Sequence, residues 1–248
     1  MCTLSWKPLE DGYVLFFNRD ESRSRVIAQG PTLRQENGVG FLAPTDGARG
    51  GTWLLVNAHG ISVALLNNYA ATSPTIVANA SSRGFLPLNC SDCTSVLEAI
   101  DRIAEMPLND YPPFHLVVAA ANEAVMLTWD GSACTSAVLS GSGEMLTTSM
   151  FKSKLVAQVR DEIFTSVVGD ITDAKPETLK AFHWFEGPDG ATSIKMSRPD
   201  ACTHSISEIT VSLGNETANF QYAPQAGIDG DERVLPSTSI FLPLTKHL

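Results

Sequence analysis

The fold is decided at the start of the chain, in MCTLSWKPLEDGYVLFFNRDE, residues 1–21. Two runs rich in aromatic and β-branched residues, Thr3 to Trp6 and Tyr13 to Asn18, flank Asp11-Gly12, a pair that favours a hairpin turn. Antiparallel pairing across that turn carries the far end of the second strand back to the beginning of the first. Arg19 and Asp20 then arrive beside Cys2.

That juxtaposition has a chemical use. Removal of Met1 would leave a thiol and a free amine on one residue. An α-amine, with an ordinary pKa of about 7.7 to 8, can take the thiol proton directly or through water. A guanidinium beside the sulfur stabilises the thiolate, and a carboxylate beside the amine holds and orients the ammonium. The competing reading of Asn18-Arg19-Asp20-Glu21 is a solvated strand end, whose internal ion pair contributes about 0 to 1 kcal/mol.

Beyond the hairpin, residues 22 to 50 are rich in Gly, Pro and charge and form a long excursion, functional or carrying short strands of its own. Thr52 to Asn57 and Ile61 to Leu66 flank Ala58-His59-Gly60 as a tight strand pair that delivers Asn67 and Asn68 to a strand end. Ser91-Asp92 is positioned to cap a helix with Val96, Leu97, Ile100 and Ile103 on its apolar face, ending before Pro107. Phe114 to Ala120 and Ala124 to Trp129 make another strand pair, followed by turns punctuated by Gly131, Gly141 and Gly143.

Lys152 to Val168 predicts an amphipathic helix with Leu155, Val156, Val159, Ile163 and Val167 inward, and Pro176 starts a short third helix. Strand-like runs follow at Ser193 to Ser197, Ser205 to Leu213 and Thr217 to Tyr222, then an extended tail. Short connections favour antiparallel pairing, and two sheets stacked between helical layers would use every apolar face.

Composition narrows the function. With 248 residues, 44% hydrophobic and 18% charged, the chain has the makeup of a globular protein and is read as one domain spanning residues 1–248. No run approaches the roughly 18 apolar residues of a membrane helix, so no membrane insertion is expected. A formal net charge of -10 and the absence of a basic block argue against nucleic acid as a partner. Residues 1–10 lack the pattern of a signal peptide, and five cysteines, an odd number, suit reduced thiols; a cytoplasmic location is expected. Cys90-Ser-Asp-Cys93 has redox-motif spacing, but no second pair completes a zinc site, and the five scattered histidines suggest no metal.

Cys2, NRDE at 18–21, GGTW at 50–53, NAHGISVALLNN at 57–68, SRG at 82–84 and SRPDA at 197–201 resemble, in this order, the NRDE-motif family, also called the transport and Golgi organisation type. That family is in turn similar to the cysteine branch of the N-terminal nucleophile hydrolases, which includes penicillin V acylases, bile salt hydrolases and the acid ceramidase type. The resemblance implies an α+β fold, a four-layer αββα sandwich of two mainly antiparallel sheets. It also implies an amidohydrolase or acyltransferase that handles a small, non-peptide linear amide through an acyl-thioester, with no cofactor.

Carried over by position, the resemblance makes Cys2 the nucleophile, with Arg19 and Asp20 beside it and Asn67 as oxyanion donor. Asn18, Asn68, Thr148 and Arg198 are assigned to substrate binding, Asn68 as the second-choice donor and Arg198 as the match for a late arginine. Where the acylases carry an Asn after a Leu-Thr pair, this chain reads Leu146-Thr147-Thr148-Ser149, so a hydroxyl replaces an amide donor. Eukaryotic relatives linked to haem trafficking and to Golgi and lipid homeostasis imply an alternative: a non-enzymatic carrier on the same fold, with a cysteine or histidine on haem iron.

Overall fold

The computed structural model describes residues 2–71, 80–225 and 236–245. Two antiparallel sheets stack face to face. The first has the order β10-β1-β2-β11-β12-β13, built from β1 (Cys2–Leu9), β2 (Gly12–Ser22), β10 (Glu144–Thr148), β11 (Ala201–Ser212), β12 (Thr217–Pro224) and β13 (Thr238–Pro243). The second runs in sequence order through β3 (Gln29–Glu36), β4 (Val39–Thr45), β5 (Leu54–Asn57), β6 (Ser62–Asn67), β7 (Phe114–Ala119), β8 (Ala124–Trp129) and β9 (Cys134–Val138). The chain therefore begins in one sheet, builds the whole of the other, and returns to finish the first.

Strand alternation assigns the faces. Leu4, Trp6, Leu15, Phe17, Ile209 and Phe220 of the first sheet meet Leu42, Leu54, Val56, Ala64, Leu66 and Val117 of the second in the central core. The outer face of the second sheet, including Leu55, Val63, Leu116 and Val118, packs under α1 (Phe85–Leu88) and α2 (Val96–Ala104). Val14 and Phe16 of the first sheet's outer face meet Leu179 of α4 (Pro176–His183) and Phe164 of α3 (Ser153–Val167). This is the αββα sandwich. Among the described residues no helix is long and apolar enough to cross a membrane.

The β1–β2 turn explains its glycine. Gly12 has φ +129°, and a Cβ there would stand 2.0 Å from the Val211 carbonyl oxygen, so a larger residue would push β11 away from the hairpin.

The helices differ in detail from their apolar patterns. The cap of α2 is Ser95, whose side chain accepts from the Glu98 N–H at 3.1 Å, rather than Ser91-Asp92. Leu97 points to solvent, 68% exposed, while Val96, Ala99 and Ile103 face the sheet. In α3 the buried residues are Val156 and Arg160, and Leu155 is exposed. Ser193 to Ser197 is not a strand: Lys195 N–H bonds to Phe185 O and Ser197 N–H to Gly190 O, so a loop consumes the backbone donors a sheet would need. Conversely, β9 and β10 are strands where turns were expected.

Candidate active site

β1 lies between β2 and β10, with Cys2 opposite Arg19 on one side and opposite Thr148 on the other. Leu4, Trp6, Leu15, Phe17 and Leu146 all point into the central core, so alternation turns Cys2, Arg19 and Thr148 to the same inner face. Thr3, Asn18 and Asp20 turn outward, toward the layer of α3 and α4. The hairpin thus supplies two opposite surfaces from adjacent residues.

On the inner face, Arg19 Nη2 donates to Asp46 Oδ2 at 2.6 Å, and its guanidinium lies 4.3 Å from the centre of the Trp53 ring. Asp46 also accepts from Arg25 Nε at 2.9 Å and from the backbone N–H of Arg49 at 2.9 Å. Burial pulls the Asp46 carboxyl upward, but the arginines and the amide outweigh it and hold the group below the ordinary carboxylate range. Arg19 is thereby committed to a partner. Burial accordingly dominates at Cys2 and pushes its thiol up. The Asp20 carboxylate pushes the same way, while the Asp20 amide and Arg19 oppose them. A guanidinium alone does not make this thiol a thiolate; it needs a base.

On the outer face, Asp20 accepts from Arg160 Nη2 at 3.0 Å and from Thr203 Oγ1 at 2.7 Å. Arg160, with a fully buried side chain, further donates to Thr3 Oγ1 at 2.5 Å, Thr147 Oγ1 at 3.2 Å and Ser193 O at 2.7 Å. One guanidinium therefore ties β1, β10 and the carboxylate of β2 together directly under the site. The sequence reading missed Arg160. Its signal was a charge in register with Val156, on the stripe of α3 that faces the sheet; a charge there demands a partner.

Cys2, Arg19, Asp20 and Asn67 share the wall of a cavity of about 380 Å³. Asn67 ends β6, and its Nδ2 donates to Tyr69 Oη at 2.6 Å, leaving a second N–H. Thr148 is paired with Cys2 across β1 and β10 but is not among the described residues of that wall; its Oγ1 is buried and has no hydrogen-bond partner among the described residues. The wall also carries Glu21, Arg25, Asp46, Arg49 and Arg83.

Three residues assigned to substrate binding are engaged elsewhere. Asn18 points the opposite way from Arg19 by strand alternation, donating to His183 O at 2.8 Å and Ile194 O at 3.1 Å beneath the sheet. Asn68 closes the turn after β6, its Oδ1 accepting from the N–H groups of Ala70 and Ala71 at 3.2 Å each. Arg198 pairs with Asp200 at 3.2 Å and lies 4.5 Å from the centre of the Phe151 ring. None of the three is on the cavity wall. Among the described residues no group of three or more His, Cys, Asp or Glu could hold a metal ion.

The chain matches the sequence pattern of the family described as Transport and Golgi organisation 2 over residues 1–216. It belongs to that family. No curated protein matches it in sequence. Among solved structures, the fold is similar to the Caenorhabditis elegans ortholog of N-acylethanolamine-hydrolyzing acid amidase, at 12% identity and a TM-score of 0.61, covering 95% of this chain and 100% of that one. It is also similar to the conjugated bile acid hydrolase of Clostridium perfringens. A cysteine-to-alanine mutant of that hydrolase gives 10% identity and a TM-score of 0.52, with 96% of this chain and 92% of that one covered. An arginine-to-leucine variant of it gives 11% and 0.51, with 97% and 92% covered. These likenesses establish the N-terminal nucleophile hydrolase fold.

Proposed function

We propose that the protein is an N-terminal-cysteine amidohydrolase or acyltransferase acting on a non-peptide linear amide. The observation that supports it is one of register: Cys2 lies between Arg19 and Thr148 at the end of β1, on the wall of a cavity that also holds Asp20 and Asn67. With Met1 removed, the α-amine of Cys2 takes the thiol proton, which burial otherwise retains. The thiolate attacks the amide carbonyl, forming a C–S bond, and the oxyanion is held by Asn67 Nδ2 and Thr148 Oγ1. Collapse breaks the C–N bond as the ammonium returns its proton to the leaving amine. Water, or an acceptor amine, then attacks the thioester with the same α-amine as base and restores the thiol.

Thr148 is the second donor in this reading because it lies opposite Cys2 in the sheet and its hydroxyl has no hydrogen-bond partner among the described residues, although it must turn toward the cavity to reach the oxyanion. Asp20, held by Arg160 and Thr203, orients the ammonium. The test is intact mass, to show loss of Met1, followed by acid-quenched mass spectrometry of protein mixed with amides. Acylation of Cys2 and loss of turnover in Cys2→Ala, with turnover kept in Cys90→Ala, are the expected results. Equal turnover in Cys2→Ala ends the proposal.

The haem-carrier alternative meets a poor fit. Among the described residues the cavity wall offers Cys2 but no histidine, and the arginines and carboxylates there are not the apolar flanks a macrocycle occupies. A haem titration followed at the Soret band checks it; a shift that depends on Cys2 would revive it.

A further inference from the structure

Two sequence motifs, GGTW at 50–53 and SRG at 82–84, take no part in the chemistry at Cys2, yet they build the wall of its cavity. They meet backbone to backbone. Thr52 N–H donates to Gly84 O at 2.8 Å, and a Cβ on Gly51 would stand 2.6 Å from the Gly84 carbonyl carbon. Only glycine permits that approach, and it fixes the backbone beside Arg83.

The charges on the wall are not balanced. Asp46 is shared by Arg19 and Arg25, Glu21 lies 3.6 Å from Arg25, and Asp20 is taken by Arg160. Arg83 donates from Nη1 to Pro113 O at 2.8 Å, but among the described residues neither it nor Arg49 forms an ion pair. Arg83 is half-buried, and burial pushes its pKa down against the pull of Tyr69, Cys2 and Glu21. A partly desolvated guanidinium whose one partner among the described residues is a carbonyl carries an electrostatic cost that an entering anion removes.

We propose that Arg83, with Arg49 at the rim and the Ser81 and Ser82 hydroxyls beside it, is an anion-binding subsite, and that the amide handled at Cys2 carries a carboxylate. This rests on the amide-cleaving reading of Cys2 and names its substrate class. A guanidinium is suited to this because its planar fork grips a carboxylate through two parallel hydrogen bonds. A cavity of about 380 Å³ holds a small amide. The carboxylate can sit on the amine side of the amide, as in an N-acylglycine, or on the acyl side, as in an N-alkylsuccinamic acid.

The test separates binding from chemistry. Calorimetry on the full Cys2→Ala chain measures N-decanoylglycine and N-butylsuccinamic acid against neutral partners of the same length, in which a hydroxymethyl or carboxamide replaces the carboxylate. At least one acid is expected to bind roughly tenfold more tightly than its neutral partner, the scale of a charge-assisted pair. Whichever acid does so tells which side of the amide faces Arg83. Adding Arg83→Gln should reduce the preference to within about twofold, Arg83→Lys should keep part of it, and Arg49→Gln should lower it less than Arg83→Gln. Equal affinity for acid and neutral partner, a preference that survives Arg83→Gln, or no binding of any compound overturns the proposal. Failure of the Cys2 chemistry would appear separately, as the absence of acyl-thioester in the wild-type chain.

Discussion

Arg160 and Asp20 show what a single buried charge can organise. The pair has no exposed side-chain surface, and the guanidinium reaches three strands of the first sheet. Removing one partner leaves a buried charge uncompensated, which costs about 3 to 5 kcal/mol. Arg160→Gln is therefore expected to lower the free energy of unfolding by that order in urea titrations, and to reduce turnover with little change in KM, because Asp20 loses its orientation. Thr203→Val removes only one hydrogen bond to Asp20 and should cost about 1 kcal/mol. Cys2, Arg19 and Asp20 were legible because a hairpin turn and a two-residue alternation fix their places within about twenty residues of sequence. Arg160 was not. It lies 140 residues from Asp20, and an arginine on an amphipathic helix reads as solvated until the opposing carboxylate is seen. Asn18 belongs to the motif, but its amide is spent on the His183 and Ile194 carbonyls beneath the sheet, partners that lie 165 and 176 residues away in the chain.

Among the elements, α2 tests how far a helix pattern can be trusted. Ser95 accepts from Glu98 N–H, and the Glu98 carboxylate reaches back to the Thr94 N–H and hydroxyl at 2.8 Å each, a reciprocal cap. Ser95→Ala should cost about 1 kcal/mol in chemical denaturation. Leu97→Glu, at a position 68% exposed, should change stability by no more than about 0.5 kcal/mol, although a helical wheel places Leu97 beside the core. The long central strands were readable because their apolar runs are continuous. β9 is exposed along its whole length and β10 is half-buried throughout, so neither carries an alternating pattern. Thr148 of β10 was accordingly named from the family resemblance and not from any strand pattern.

For the molecule as a whole, acid is the sharpest probe of the sandwich. His183 lies under the first sheet with Nε2 2.8 Å from Ser5 Oγ and Nδ1 2.7 Å from Asn18 Oδ1. Burial first, and the charge of Arg160 second, push its pKa from the ordinary 6.5 down to about 3. Between those values the unfolded chain binds the proton that the folded chain refuses, so stability falls as the pH drops from 6.5 toward 3. His204, pushed by burial to about 4, adds a loss of the same sign. Denaturant titrations should show stability falling already between pH 7 and 5, above the carboxylate range, and His183→Gln should flatten that slope. A flat wild-type profile there would contradict the burial of the ring.

The return of the chain to its first sheet also sets a timetable. β1 has β2 as a neighbour almost at once, but its other neighbour begins at Glu144. At roughly 5 to 20 residues per second, a ribosome takes on the order of ten seconds to supply it. Through that interval β1 is an open edge, able to pair with another nascent chain. Fragments ending before residue 144 should therefore aggregate through that edge, and a peptide of Glu144–Thr148 supplied in trans should suppress it.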